Sequence, residues 1–399
     1  MPAMSNLSLQ DTLAKTNADF FLREFSFSRT QFQPTGGTEV ELADHVVSFD
    51  DLLLLFQFKE REAATGDSEE EERWFTRKVA KKAVSQVRDT LSYLAAGPIG
   101  LANDRGHTVE LPRGLAGLRV AKVIVYRPSD ALPEHARRQK GYVSSSAGFI
   151  HFFQTRDYDG VLETLVTLPE IVDYLGYRER LSRRFPSETS PLSEQAMVGH
   201  YLLGDEGAIP REQYAANVFS LQNNVEEFDI LGLLSLFKDR SYAMKRPDGA
   251  AESPTDYYEV LKEMVRLPRE DLAAFKLRYK WAWDRCGTDS TVLPSRFASG
   301  QTGCAFVFIP LASDATAHAA TALQNFTMAA KYDLKVDRCL GVAFRRDGSD
   351  RLIDWMHYVQ PWEPDAELES SLTENYPFRE SKIAFVPRYT FGPGGTSSR

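Results

Sequence analysis

The stretch Glu39-Val-Glu-Leu-Ala-Asp-His-Val-Val-Ser-Phe-Asp-Asp-Leu-Leu-Leu-Leu-Phe-Gln-Phe-Lys59 carries the strongest structural signal in the chain. It reads as a β-hairpin, with one strand from Glu39 to Phe49 and the next from Leu52 to Glu60. Asp50 and Asp51 separate two apolar runs, and Asp tolerates the left-handed backbone of a tight turn. A two-residue loop there sets Phe49 opposite Leu52 and, counting back, Asp44 opposite Gln57. Side chains alternate along a strand. Asp44 therefore shares a face with Val40, Leu42 and Val46, and Gln57 and Lys59 share theirs with Leu53 and Leu55. A carboxylate, an amide and an ammonium thus meet on an apolar face. Burying such groups costs several kcal/mol unless they are paired or hold a metal. Two outcomes fit this: an Asp44–Lys59 ion pair lining the core, or a site that holds one ion.

The arrangement resembles the PD-(D/E)XK nuclease superfamily, in which an Asp on one strand is followed by acid-x-Lys on the next, paired strand. Asp44 matches the Asp, with Ala43 in the Pro position, and Lys59 matches the Lys. Gln57 stands in the acid position, giving the Gln-x-Lys variant. The resemblance covers roughly residues 9–127. It implies an α/β, restriction-endonuclease-like αβββαβ core and a Mg²⁺ (or Mn²⁺) ion held by Asp44, Gln57, a backbone carbonyl near Phe58, and an acid of the first helix. Glu24 is the candidate for that acid. In such a site Lys59 orients the attacking water or stabilises charge developing on phosphorus. A neutral amide binds a hard cation less strongly than a carboxylate does.

The periodicity around the hairpin gives the same succession of elements. A first helix is expected from Leu9 to Arg23, a strand from Phe25 to Phe32, and a turn at Pro34–Gly37. After a polar loop, Ser68 and Glu71 form a capping box for a helix that runs to Ala96 and stops before Gly97-Pro98. Its apolar stripe is Phe75, Val79, Ala83, Val87, Leu91 and Leu94. Lys78, Lys81, Lys82 and Arg88 make the rest of the helix basic, which is a solvated face or, beside a nuclease site, a phosphate-contacting one. Exonuclease branches of the superfamily carry a Gln on this helix four residues before a Tyr. Gln86 matches that Gln and Thr90 replaces the Tyr. A further strand covers Leu118–Tyr126, another Phe149–Gln154, and a helix Pro169–Leu181. The basic end of that helix, Arg178, Arg180, Arg183 and Arg184, offers a second phosphate contact or a solvated terminus.

A Ser/Pro/Thr-rich segment, 187–193, marks a boundary. The expected organisation is a nuclease-like domain over 1–186, a helical connector over 187–254, and a C-terminal α/β accessory domain over 255–399. In the last, Phe275, Tyr279 and Trp283 recur at helical spacing and read as core. Strands are expected at Ala305–Leu311, Leu340–Arg345 and Leu352–Val359, a helix at Ala315–Tyr332, and a disordered tail from Gly392.

Of the 399 residues 43% are hydrophobic and 26% charged, an ordinary globular balance with length for two domains. With a net charge of −9, DNA contact must come from a local basic patch. Cys286, Cys304 and Cys339 are widely spaced and indicate neither a zinc knuckle nor a disulfide framework. No secretory signal or membrane-spanning run is seen, and a cytoplasmic location is expected. Phosphate-loop, nucleophile-elbow and His-Glu-x-x-His patterns are absent. The reading is a metal-dependent nuclease hydrolysing phosphodiester bonds, of DNA by expectation, with bacterial antiviral defence suggested by family analogy. The alternative is a catalytically inactive relative that binds nucleic acid or protein. In either case the C-terminal half serves recognition, a partner protein or a homo-oligomer.

Overall fold

The structure, a computed structural model, describes residues 8–34, 37–63, 65–111, 114–222, 255–288, 292–380 and 387–392. The chain divides into two compact units, residues 1–222 with 391–399, and residues 223–390.

The first unit begins with helix α1 (Leu9–Phe20) and strands β1 (Ser26–Phe27), β2 (His45–Phe49) and β3 (Leu52–Glu60). A long helical rod follows: α2 (Ser68–Trp74), a π-helical segment Phe75–Ala83, and α3 (Val84–Ala96). Then come β4 (Arg119–Arg127), β5 (Gly141–Ser144), β6 (Gly148–Gln154), α4 (Thr155–Thr164), α5 (Leu168–Arg184) and α6 (Glu194–Leu203). The six strands form one mixed sheet in the order β1-β2-β3-β4-β6-β5. Strand β3 lies inside it, antiparallel to β2 and parallel to β4. Leu52 to Phe58 are all buried, as expected of a strand covered on both faces, which is why this run does not alternate with polar residues.

The hairpin register is the expected one. Phe49 pairs with Leu52, the ladder continues to His45–Phe56, and Asp50 takes the turn with φ +50°. One face of the sheet carries Val46, Leu53 and Leu55 beneath Leu94, and Ile124, Tyr126 and Phe152 beneath Phe75, Val79 and Ala83. The helical rod is therefore its cover. On the opposite face Phe56 meets Phe21, just past α1, and Tyr158 of α4. Across the π segment Phe75, Val79 and Ala83 recur every four residues and all three stay buried over the sheet.

Several expectations are corrected. The first arm of the hairpin is not one strand: Val40–Glu41 pairs with Gln31–Phe32 in a separate ribbon, and residues 42–44 leave the ladder. The rod is capped by Asp67, whose carboxylate accepts the Glu69 and Glu70 amides, not by a Ser68–Glu71 box. Glu71 is instead buried, accepting the Ser129 amide at 2.8 Å and pairing with Arg61. The boundary expected at 187 falls inside the first unit, because α6 brings Glu194 into a buried ion pair with Arg178. Residues 223–254 of the expected connector lie outside the described residues. Phe391 bridges Leu221 and the Gly392 amide donates to Ser220, so the expected tail starts inside a contact; 393–399 lie outside the described residues.

The second unit is also α/β. Helices α7 (Tyr258–Val265) and α8 (Arg269–Arg285) precede strands β7 (Ser295–Ala298) and β8 (Cys304–Pro310). Helix α9 (Ala319–Asp333) then leads to β9 (Arg338–Asp347) and β10 (Asp350–Val359). The four strands run in sequence order, with β8 and β9 parallel across the α9 crossover. Phe275 packs on Phe306 and Phe308, and Tyr279 on Phe344, so the aromatic repeat of α8 is core.

Candidate functional site

The polar cluster lies where the hairpin opens, at the carboxyl end of β3. Residues 42–44 bend away from the ladder because other groups satisfy their backbone. The Leu42 amide donates to the Thr30 carbonyl, and the Thr30 hydroxyl donates to the Ala43 carbonyl. The Thr90 hydroxyl, from α3, donates to the Leu42 carbonyl. The bend aims Asp44 across the open end. Its Oδ2 accepts the Phe58 amide at 2.5 Å and the Lys59 ammonium at 3.1 Å. That carboxylate replaces the backbone partner that the ladder would have supplied.

Lys59 completes the cluster. Its Nζ also donates to the Phe58 carbonyl at 2.8 Å and reaches the Gln57 Oε1 at 3.4 Å. Three oxygens thus surround one ammonium: a carboxylate, an amide and a peptide carbonyl. The side chains of Lys59 and Asp44 are only 13% and 11% exposed, so the pair is poorly screened by solvent. Asp44, Gln57 and Lys59, read from the sequence as one group, are brought together.

Glu24 is not brought to them. It is buried and paired with Arg105 at 2.6 Å. Ser26 pairs with Val47 and the Phe25 carbonyl accepts the Ser48 amide, so Glu24 lies beside the Phe49 end of β2. That is about 17 Å along the strand from Asp44, at ~3.4 Å per residue. Helix α1 is oriented the other way: its first turn meets the site end, where the Leu9 amide donates to Glu60 Oε2.

A different acid was missed. Partial burial and then the neighbouring Asp44 carboxylate push the Glu41 carboxyl above its usual range, while Lys59 pulls it back. Glu41 itself pairs with Gln31 in the separate ribbon and is exposed.

On the helical rod, Lys78, Lys81, Lys82 and Arg88 are exposed. Arg88 also donates from Nε to Ser144 at 3.1 Å. Gln86 is half-buried, and its Oε1 has no hydrogen-bond partner among the described residues. Of the expected second phosphate contact, Arg178 is withdrawn by burial, while Arg180, Arg183 and Arg184 are exposed with intrachain partners. Arg178 is buried against Glu194, Arg180 pairs with Glu206, Arg183 with Glu179, and Arg184 donates to the Glu206 carbonyl.

No group of three or more His, Cys, Asp or Glu side chains placed to hold a metal occurs among the described residues. The oxygens at the hairpin end are of another kind, one carboxylate with an amide and a carbonyl, and all three already face a cation, the ammonium. Oxygen donors of this type suit a small hard cation such as Mg²⁺. Among the described residues no helix is long and apolar enough to cross a membrane. Comparisons with protein-family models, curated proteins and solved structures return no match for this chain.

Proposed function

We propose that the first unit is a divalent-cation-dependent nuclease of restriction-endonuclease-like type acting on DNA. The observation that carries this reading is the convergence of Asp44 Oδ2, Gln57 Oε1 and the Phe58 carbonyl on one cationic point at the end of the hairpin. The succession of helix, hairpin, long helix and parallel strand supports it, with Thr90 and Gln86 on the helix that covers the same face. Asp44, Gln57 and the Phe58 carbonyl would hold Mg²⁺ or Mn²⁺, with Glu41 adding negative charge nearby. The chemistry supplied by such an ion when bound is polarisation of the phosphate and acidification of water. Asp44 stays oriented through its bond to the Phe58 amide. Lys59 opposes the negative charge that develops on the phosphoryl oxygens. Lys78, Lys81 and Lys82 supply the sequence-independent backbone contact that an acidic protein needs locally.

The test is incubation of the full chain with plasmid and single-stranded DNA in Mg²⁺, Mn²⁺ or EDTA. EDTA and Asp44→Ala should each abolish cleavage. Lys59→Ala should lower turnover about a hundredfold or more, because it opposes the charge that develops in the transition state. Cleavage that survives Asp44→Ala would remove this site from the chemistry. A second reading, a DNA-binding module without hydrolysis, is favoured by the single carboxylate among the three oxygens. Clear DNA binding with no cleavage in any metal selects it.

A further inference from the structure

We infer that the Lys59 ammonium is the resident cation of the hairpin site, and that an anionic phosphate, by drawing it out, favours entry of a divalent cation. This rests on the nuclease reading and adds a coupling between its two ligands.

An ammonium has three donors. Those of Lys59 face three acceptors, at 2.8, 3.1 and 3.4 Å, and these are the same oxygens the site offers to a metal ion. Two cations cannot share the point, since like charges a few ångströms apart repel strongly where water is largely excluded. The site is therefore closed by its own side chain. Asp44 does not depend on Lys59 for its orientation, because Oδ2 also accepts the Phe58 amide at 2.5 Å. Withdrawal of Nζ thus opens the oxygens without releasing the carboxylate. The lysine stem is long and half-buried, one residue past the last buried position of β3, so the head can move outward while the stem stays packed. A phosphodiester arriving on the basic rod supplies the competing anion. Gln57 fits the same picture: with a neutral amide, the Asp44–Lys59 pair remains charge-balanced while the site is closed.

By linkage, whatever factor DNA adds to metal affinity, the metal adds to DNA affinity. A site held closed about nine-tenths of the time binds its ion about tenfold more weakly than its open form.

The experiment measures Mn²⁺ binding to the full chain by depletion of the free-ion electron paramagnetic resonance signal. It is run with and without a phosphorothioate DNA duplex that resists cleavage, on wild type, Lys59→Met, Lys59→Gln and Asp44→Asn. Circular dichroism identifies which lysine variant is folded. Wild type should bind Mn²⁺ weakly alone and about tenfold or more tightly with the duplex. The folded lysine variant should bind tightly without DNA and gain little on adding it. Asp44→Asn should bind under neither condition. If Asp44-dependent binding exists but the lysine variants are no tighter than wild type, the inference falls and the nuclease reading stands. If no protein binds Mn²⁺ with or without DNA, both fall.

Discussion

Thr90 shows how one hydroxyl can position a site that it does not enter. It is buried, donates to the Leu42 carbonyl, and thereby holds the bend from which Asp44 reaches Phe58 and Lys59. Removing it leaves a buried carbonyl short of a donor. We expect Thr90→Val to cost about 1–3 kcal/mol in urea unfolding, with Thr90→Ser close to wild type. Cleavage should fall with Val and not with Ser; equal losses in both would show that volume, not the hydroxyl, matters. At this scale Gln57 and Lys59 were legible because a two-residue turn fixes the hairpin register and alternation along β3 does the rest, whereas Asp44 reaches them from a bend outside the ladder. The bend was not, since alternation assumes a straight strand and nothing local announces the bonds from Thr30 and Thr90 that hold residues 42–44 out of the ladder. Glu24 was misplaced for another reason: an acid at a helix end looks the same whichever end of the helix meets the site.

At the scale of the element, the helical rod serves two partners at once. Its apolar stripe lies on the sheet, and Lys78, Lys81 and Lys82 face solvent. If those lysines neutralise phosphates, changing all three to Gln should weaken binding of any DNA sequence. It should also reduce the slope of log affinity against log salt by about 2–3. An unaltered slope by fluorescence anisotropy would leave that face to solvent. The rod was legible as one amphipathic helix, and its stripe was correct. Its π winding was not, because every-fourth-residue spacing over two turns is also compatible with an ordinary helix. The winding matters beyond packing. One residue fewer in Phe75–Ala83 would rotate the downstream turns by roughly 100°, and Thr90 and Gln86 with them.

At the scale of the molecule, α6 anchors the first unit. Burial alone would push the Glu194 carboxyl up, but Arg178 and Lys140 outweigh it and hold it at about 2. Arg178 also donates to the Lys140 and Phe152 carbonyls and reaches the His151 Nδ1 at 3.3 Å. Glu194→Gln leaves two buried cations without their anion and should cost about 3–5 kcal/mol at pH 7. Since the folded pKa lies below the ordinary 4.5, this contribution is complete above that pH and is lost as pH falls towards 2. Asp157 has the opposite sign. Burial, then Glu194, raise it to about 6 from 3.8, so it favours the folded state less as pH climbs through that interval. Asp157→Asn should therefore stabilise the protein at pH 7 and give no advantage near pH 4. Urea titrations at the two pH values check both, and a pH-independent difference in either would refute the assignment. The boundary at 187 was misread because Ser, Pro and Thr mark turns inside a domain as readily as between domains. Glu194 and Arg178 each look solvated until they are seen to face one another.

The bridge between Leu221 and Phe391 has a consequence for how this chain can change. The backbone leaves the first unit and re-enters it through adjacent, antiparallel residues, so everything from 223 to 390 is spliced into a point where a short turn would also close the chain. The C-terminal α/β fold is, in effect, an exchangeable cassette. A chain in which a short turn joins Leu221 to Phe391 is therefore expected to keep the hairpin that carries Asp44 and Lys59 in its own sheet, which circular dichroism and urea unfolding of that deletion check.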